Sequence, residues 1–296
     1  MKSYLLHTRP QSFPVTFFAA ITGYALSPAK AHTATGIVTD LLLLLVIFSI
    51  LLWGGTNAFN SGQDGDDGPL TLLPSPPKVP AYLSAFGIAL MFAAIGLSFM
   101  VSTRLAMWTA VGVGLSIFYS WRNPFFKRGK DIAIVDMLIN SVGFGFCSIL
   151  FGYMMTPALV TSSVMLIGLA FTFAYQGGMP TSQIFQLDGR TVITQSYTTL
   201  LGVSGVLKAG AGFFILHILF LSILFTDIVF LKTHPIGMAL WLTWLILVLL
   251  SAVHSWWWSR DPFTEPYKRM NRQMIMMMTS QVAWTALAWM YSSSLH

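Results

Sequence analysis

Long runs of apolar residues are the feature of this sequence that most restricts its fold. The run from residue 41 to residue 53 reads LLLLLVIFSILLW and contains one polar residue, Ser49. A strand of a membrane β-barrel would alternate apolar and polar residues, which this run does not do. An open strand in lipid would also leave its backbone N–H and C=O groups unpaired, whereas a helix pairs them internally. The run therefore predicts a transmembrane helix.

The composition extends this prediction to the whole chain. Hydrophobic residues occupy 55% of the 296 positions and charged residues only 9%, whereas about a quarter of a soluble domain is charged. A chain with so few charges could not cover its surface in water, so the composition predicts an integral membrane protein. We interpret the net charge of +6 as membrane topology and lipid contact, and we expect no nucleic-acid partner.

We predict nine transmembrane helices in one all-α domain that covers residues 1–296. Each predicted span has roughly the 20 residues that a helix needs to cross a bilayer. The predicted spans are residues 12–28, 36–57, 81–101, 104–121, 132–154, 158–176, 200–225, 236–257 and 272–292.

The distribution of Lys and Arg predicts the orientation of these spans. With the N-terminus in the cytoplasm, only Lys30, Arg104 and Lys232 lie on the outer side, and Lys208 lies within a span. This is the positive-inside pattern of short loops. We expect a bacterial-type inner or intracytoplasmic membrane, with the active face cytoplasmic. The basic residues on the cytoplasmic side are Lys2, Arg9, Lys78, Arg122, Lys127, Arg128, Lys130, Arg190, Arg260, Lys268, Arg269 and Arg272.

A group of acids follows the second span in the sequence NAFNSGQDGDDGP. Asn60 and Asp64 are four residues apart, so they lie on one face of a helix, and Asp66 and Asp67 follow at once. Amide and carboxylate oxygens suit Mg²⁺, which commonly completes its shell with phosphate oxygens and water. The alternative is a solvated acidic loop that only ends the helix, and the spacing does not decide between the two.

Two long polar loops, at about 58–80 and 177–199, are predicted to open on the same membrane face because an even number of spans separates them. The first contains the acids above, and the second contains Asp188. Asp136 lies one turn into the fifth span, where a carboxylate needs a partner or water.

The segment YSWRNPFFKRGK, residues 119–130, concentrates basic side chains that could bind an anionic group. The alternative is an anchor that contacts lipid headgroups. Arg9, at the start of the first span, has the same two interpretations. The residues in question within the segment are Tyr119, Arg122, Lys127, Arg128 and Lys130.

Four segments, in this order, resemble the UbiA-type intramembrane prenyltransferase superfamily. HTRPQSFPVTFFAAITGYAL is similar to the opening Arg-Pro helix of that family, and NSGQDGDDGP is similar to its first acidic signature. YSWRNPFFKRGKDIAIVDMLINSVGFG is similar to its loop before the fifth helix. TSQIFQLDGRTVITQSYTTLLG is similar to its second acidic signature. The resemblance covers nearly the whole chain.

The resemblance implies a helical cup that opens to the cytoplasm and to lipid. In such a cup Mg²⁺ holds a prenyl diphosphate between the two acidic loops, the diphosphate leaves, and a hydrophobic acceptor attacks the allylic cation. The implied catalytic residues are Asn60, Asp64 and Asp188, and the implied metal ligands are Asn60, Asp64, Asp66, Asp67 and Asp188. The implied diphosphate contacts are Arg9, Tyr119, Lys127, Arg128 and Arg190.

The chain departs from the family pattern at three positions. Ser61 and Gly68 replace acids of the first signature, and Ile184 stands where the second signature has an acid four residues before Asp188. Gly68 and Ile184 favour an alternative, a catalytically impaired homologue that binds lipid or pigment as a subunit of a membrane complex. The retained Asn60, Asp64, Lys127 and Asp188 favour an enzyme. A third hypothesis is a membrane terpene cyclase of the same family, which needs no separate acceptor.

Overall fold

The computed structural model describes residues 1–66, 68, 70, 73–123, 125–184, 197–224, 231 and 233–294. Asp67, Asp188 and Arg190, three residues of the predicted site, lie outside the described residues. Within the described part, the chain is helical apart from its loops and an isolated β-bridge between Leu70 and Leu73.

The principal helices are numbered in chain order. A short helix, Lys2–His7, and a 3₁₀ turn, Pro10–Ser12, precede them. The principal helices are α1 (Phe13–Ala25), α2 (Ala34–Asp64), α3 (Leu83–Val101), α4 (Thr103–Ser120), α5 (Ala133–Met154), α6 (Ser162–Gly178), α7 (Tyr197–Leu224), α8 (Pro235–Trp258) and α9 (Pro266–Ser294).

These helices overlap the predicted spans, and the prediction of an all-helical chain is confirmed. Among the described residues, five helices are long and apolar enough to cross a membrane, namely α2, α3, α5, α7 and α8. The membrane crossings of the other four segments, and the direction of the N-terminus, stay predictions.

Two hydrophobic clusters organise the helices. One cluster joins α2, α3 and α4 to one side of α1 and to the end of α5. The other joins α5 through α9 and includes Val15 and Ala19 of α1. Helices α1 and α5 therefore belong to both clusters and connect the two groups.

The contact between α1 and α5 depends on two glycines. A Cβ atom added to Gly23 would overlap the carbonyl oxygen of Ile149, and one added to Gly152 would overlap that of Ala20. Small residues allow this close approach of two backbones, as they commonly do between membrane helices. Across the other side of α1, the hydroxyl groups of Thr22 and Thr285 form a hydrogen bond of 2.8 Å.

Two helices contain π-helical turns, Leu45–Trp53 in α2 and Gly143–Cys147 in α5. The extra residue of a π turn rotates the side chains that follow it, and such turns are frequent at functional sites. Residues of both turns, including Leu52 and Phe144, line the large cavity described next.

Candidate active site

A cavity of about 670 Å³ lies between the two groups of helices. Its apolar part is lined by Phe48, Leu52, Trp108, Val111, Leu115, Phe144 and Phe151. Its polar part is lined by Arg9, Asn60, Asp64, Asp66, Tyr119, Arg122, Arg128, Lys130, Asp136 and Gln183. Phe48 and Asn60 lie twelve residues apart on α2, so these two parts are separated by about 18 Å along that helix. The cavity is therefore long, with charge at one end and aromatic rings at the other.

The last turns of α2 place the predicted acids at the polar end. The helix stops at Gly65, whose backbone takes the left-handed conformation (φ 67°) that glycine adopts without strain. Asn60 and Asp64 lie one turn apart on the face that lines the cavity, as the spacing predicts. Asp64 is shielded, with 15% of its side chain exposed.

Three basic side chains surround the carboxylate of Asp64. Arg128 donates from Nη1 to Oδ1 at 2.8 Å, and Lys130 donates from Nζ to Oδ2. Arg122 lies further away, with Nη2 3.9 Å from Oδ1, and is largely exposed. The segment 119–130 therefore folds back over the end of α2 and brings opposite charges together.

Arg128 bridges two acids. Its Nε and Nη2 donate to the carboxylate of Asp131 at 2.7 and 3.0 Å, in addition to its bond to Asp64. Burial lowers the pKa of Arg128, but the two carboxylates more than offset this effect, so the net pKa is raised above its ordinary value. The guanidinium stays charged, and it is fixed by its neighbours.

Arg9 approaches the same site from the N-terminal side. Its backbone takes a left-handed conformation (φ 56°), which is uncommon for a residue other than glycine. Its Nη2 donates to Ser61 Oγ at 3.0 Å and to Asp66 Oδ2 at 3.3 Å. Burial lowers the pKa of Arg9, and the nearby carboxylates of Asp66 and Asp64 oppose that shift.

The oxygen atoms at this end suit a hard divalent cation. Asn60 contributes an amide oxygen, and Asp64 and Asp66 contribute carboxylates, which are the ligand types of Mg²⁺. Asn60 Oδ1 accepts hydrogen bonds from Ser120 Oγ at 3.0 Å and from Lys130 Nζ at 3.4 Å. The described part of the chain contains no cluster of three or more His, Cys, Asp or Glu side chains arranged for a metal.

A third carboxylate in the cavity wall, Asp136, has neutral partners. Tyr119 donates its hydroxyl to Oδ1 at 2.7 Å, and Asn140 donates to the same oxygen at 2.8 Å. Gln183 Nε2 lies 3.3 Å from Oδ2, and the backbone N–H of Tyr197 lies 3.5 Å from it. Helices α4 and α5 and the segment after α6 meet at this residue.

The structure places the sequence-predicted residues unequally. Asn60, Asp64 and Asp66 line the cavity together with Arg9, Tyr119 and Arg128. Lys127 does not, because its side chain is exposed and absent from the cavity lining, while Lys130 occupies the position expected of it. A 3₁₀ turn over Gly129–Asp131 makes this difference, since it directs Lys130 back toward α2.

Asn140 and Gln183 are site residues that sequence reasoning did not select. The position of Asn140, four residues after Asp136, was the available signal. Ile184 is fully buried and belongs to the second hydrophobic cluster, so the position where the resemblance led us to expect an acid contributes to the core.

The fold and the cavity together define a membrane-type helical protein with an amphiphilic binding chamber. No family model and no curated protein matches the chain. Solved structures match over almost its full length. A UbiA homolog from Archaeoglobus fulgidus bound to GPP and Mg²⁺ superposes with a TM-score of 0.66 and 14% identity, covering 97% of this chain and 99% of that chain.

Two further structures give the same result. The Archaeoglobus fulgidus UbiA homolog bound to Cd²⁺ has a TM-score of 0.64 and 12% identity, over 97% of this chain and 99% of that chain. A structure from work on the biosynthesis of digeranylgeranylglyceryl phosphate synthase in membranes has a TM-score of 0.61 and 16% identity, over 98% of both chains. The chain therefore has the UbiA fold, and the resemblance predicted from the sequence is confirmed at the level of the fold.

Proposed function

We propose that this protein transfers an isoprenoid chain from a prenyl diphosphate to a hydrophobic acceptor within a membrane, with Mg²⁺ as cofactor. The observation that supports this most is the division of the cavity. Oxygen ligands and basic side chains meet at one end, and an aromatic-lined apolar chamber extends from them. A prenyl diphosphate has the same division, with a highly charged head and an apolar tail.

The ion pairs at the polar end are consistent with exchange of partners on binding. Asp64 is now paired with Arg128 and Lys130, and Asp66 with Arg9. A Mg²⁺–diphosphate complex brings both signs of charge, so each of these side chains would keep a partner of opposite sign. Asn60, Asp64 and Asp66 would hold the metal, which when bound supplies Lewis-acid stabilisation of the leaving diphosphate.

The basic residues would then bind the diphosphate oxygens. Arg9, Arg128 and Lys130 converge from two different segments on one point of the cavity. Preorganised cations of this kind stabilise negative charge as it develops on a leaving group. The apolar part of the cavity would take the prenyl tail and keep water from the allylic carbon.

The same proposal includes the parts of the site and the topology that the described residues leave open. Asp67 and Asp188 would complete the metal ligands, and Arg190 would contact the diphosphate. Nine spans with a cytoplasmic N-terminus would place the cavity mouth at the cytoplasmic face, with the hydrophobic acceptor entering from lipid. The Archaeoglobus fulgidus UbiA homolog that binds GPP and Mg²⁺ supports this assignment of ligands by analogy.

The test is release of diphosphate from geranyl diphosphate by the purified protein in detergent, with and without Mg²⁺. We expect metal-dependent release that the Asp64→Asn variant loses and that the Asp261→Asn variant, changed in an exposed loop, retains. Release that does not require Mg²⁺, or that Asp64→Asn retains in full, would contradict the proposal. Product mass with membrane lipid extract would separate transfer to an acceptor from cyclisation of the chain.

A second candidate function is a lipid- or pigment-binding subunit of a membrane complex. It is favoured by Ile184, because a fully buried apolar side chain replaces an acid of the second signature. Absence of diphosphate release, together with a lipid or pigment that co-purifies with folded protein, would select this function.

A further inference from the structure

Asp136 is a buried acid that the proposed metal and diphosphate contacts do not use. It lines the cavity, and only 2% of the residue is exposed. Among the described residues, no Lys, Arg or His nitrogen lies within 4.0 Å of its carboxylate, whereas Asp64, Asp66 and Asp131 all have such partners. A buried carboxylate without a cation is expensive, so it requires an explanation.

The hydrogen bonds around Asp136 fix the position of its carboxylate, which accepts all of them. An ionised carboxylate only accepts hydrogen bonds, and all four of its neighbours donate. Oδ1 receives two bonds of normal length, from Tyr119 and Asn140. Oδ2 receives only two long ones, at 3.3 and 3.5 Å, so its lone pairs are less well satisfied.

The position of Asp136 relates it to the charged end of the cavity. Tyr119 contacts Asp136 directly, and both line the cavity together with Asp64 and Lys130. Asp136 therefore lies next to the diphosphate site but on the side of the chamber that α5 and the segment after α6 form. A negative charge there would repel a diphosphate and attract a positive charge beside it.

We propose that Asp136, together with the ring of Tyr119, forms a site for the positively charged allylic carbon of the prenyl chain. The proposal rests on the proposed function. In the step concerned, the bond between C1 and the diphosphate oxygen breaks, and the electron pair leaves with the diphosphate. The prenyl chain keeps the positive charge, delocalised over its allylic carbons, and no proton moves.

Two properties of the site suit this role. The carboxylate is held in place by neutral donors before the charge develops, so little reorganisation is needed when it does. The aromatic face of Tyr119 attracts a cation in addition, most strongly where water is excluded. The second acidic signature has Ile184 in place of an acid, and Asp136 would supply a negative charge on that side of the cavity.

The experiment compares two ligands of equal shape and different charge. Geranyltrimethylammonium carries a permanent positive charge, and its carbon isostere carries a tert-butyl group in place of the trimethylammonium group. Their dissociation constants are measured in detergent by titration calorimetry for the wild-type protein, Asp136→Asn and the exposed control Asp261→Asn. We expect the wild type and the control to favour the cation, and Asp136→Asn to lower that preference at least about tenfold.

An equal preference in the wild type and Asp136→Asn would overturn the proposal. A rise in the Mg²⁺ concentration needed for diphosphate release, with an unchanged ligand preference, would assign Asp136 as a metal ligand and would also overturn it. If Asp136→Asn does not fold, Asp136→Ser removes the charge with a smaller polar side chain, and an unchanged preference in that variant overturns the proposal.

The result is separable from the proposed function. A wild-type protein that prefers the ammonium ligand through Asp136 but releases no diphosphate keeps the cation site and loses the transferase. If the protein releases diphosphate but its preference for the charged ligand does not depend on Asp136, the transferase function stands and the cation site is ruled out.

Discussion

Asp64 and Asp136 line the same cavity, and their carboxylates are held by different kinds of partner. Asp64 is bound by Arg128 and Lys130, with Arg122 nearby, whereas Asp136 is bound by a phenol, two amides and a backbone N–H. The charge of Asp64 is neutralised in place, and the charge of Asp136 is only solvated by dipoles. Neutral donors cannot cancel a charge, so an ionised Asp136 would have no cation beside it among the described residues.

The difference indicates which acid can exchange its partners. The cations around Asp64 can turn to a bound anion while Asp64 turns to a metal, since each gains a new opposite charge. The donors around Asp136 lie on α4, on α5, in the turn 181–184 and at the start of α7, and they lose their bonds if the carboxylate moves. The comparison is therefore consistent with the proposals that the diphosphate and its metal bind beside Asp64 and that Asp136 keeps its position.

The largest effect is expected when the charge of Asp64 is removed. Asp64→Asn should lower Mg²⁺-dependent release of diphosphate from geranyl diphosphate by about 100-fold or more, because the site loses a proposed metal ligand. The measurement is the initial rate of release at saturating substrate, with Asp261→Asn as the matched control. A rate within threefold of the wild type, which is a change of about 1 kcal/mol or less in activation free energy, would contradict the proposed role of Asp64 as a metal ligand.

Removal of the Asp136 carboxylate should act on stability as well as on cation binding. Asp136→Leu removes the acceptor of two half-buried donors, the Tyr119 hydroxyl and Gln183 Nε2, so we expect the free energy of unfolding to fall by about 2 kcal/mol. Asp136→Asn keeps an acceptor oxygen and should lose less. Denaturation in detergent measures both, and an equal loss in the two variants would show that the hydrogen bonds do not hold this part of the fold.

Two neighbouring lysines test the cationic side of the comparison. Lys130→Ala should lower the rate of diphosphate release about tenfold, because it removes a charge-assisted bond at the cavity. Lys127→Ala should leave the rate unchanged, since its side chain is exposed and outside the cavity lining. The opposite ranking would show that the segment 119–130 rearranges when substrate binds.

The smallest effect is expected for the hydroxyl group that Tyr119 donates to Asp136. Tyr119→Phe removes one hydrogen bond to Asp136 and keeps the aromatic ring, so the rate of diphosphate release should fall only about fivefold. The exposed Tyr82→Phe variant is the control for the substitution itself. A loss as large as that of Asp64→Asn would mean that the hydroxyl contacts the substrate directly.

The general fold and part of the site were predictable because they depend on local patterns. Apolar segments long enough to span a bilayer form helices because only a helix pairs its own backbone groups in lipid, whatever the segment packs against. Helical periodicity predicts that Asn60 and Asp64 lie on one face of α2, and the structure places both on the side that lines the cavity. The UbiA fold was predicted from four short segments in order, and the superpositions confirm it.

The choice between neighbouring residues was not predictable. Lys127 and Lys130 have the same chemistry in the sequence, and the course of the loop decides which one reaches Asp64. Arg9 meets Asp66 across 57 residues, a contact that no local pattern indicates. From the sequence, Ile184 is a position where the family resemblance leads to an acid, and only the structure shows that its side chain packs in the core.

The sequence by itself determined that this chain is a set of apolar helices with acids and bases confined to a few loops, because hydrophobicity and helical period are properties of short segments. The tertiary structure alone decided which charges meet. Coulomb and hydrogen-bond interactions act over a few ångströms, so they depend on how distant segments are brought together. For Asp64 that arrangement supplies cations, and for Asp136 it supplies neutral donors.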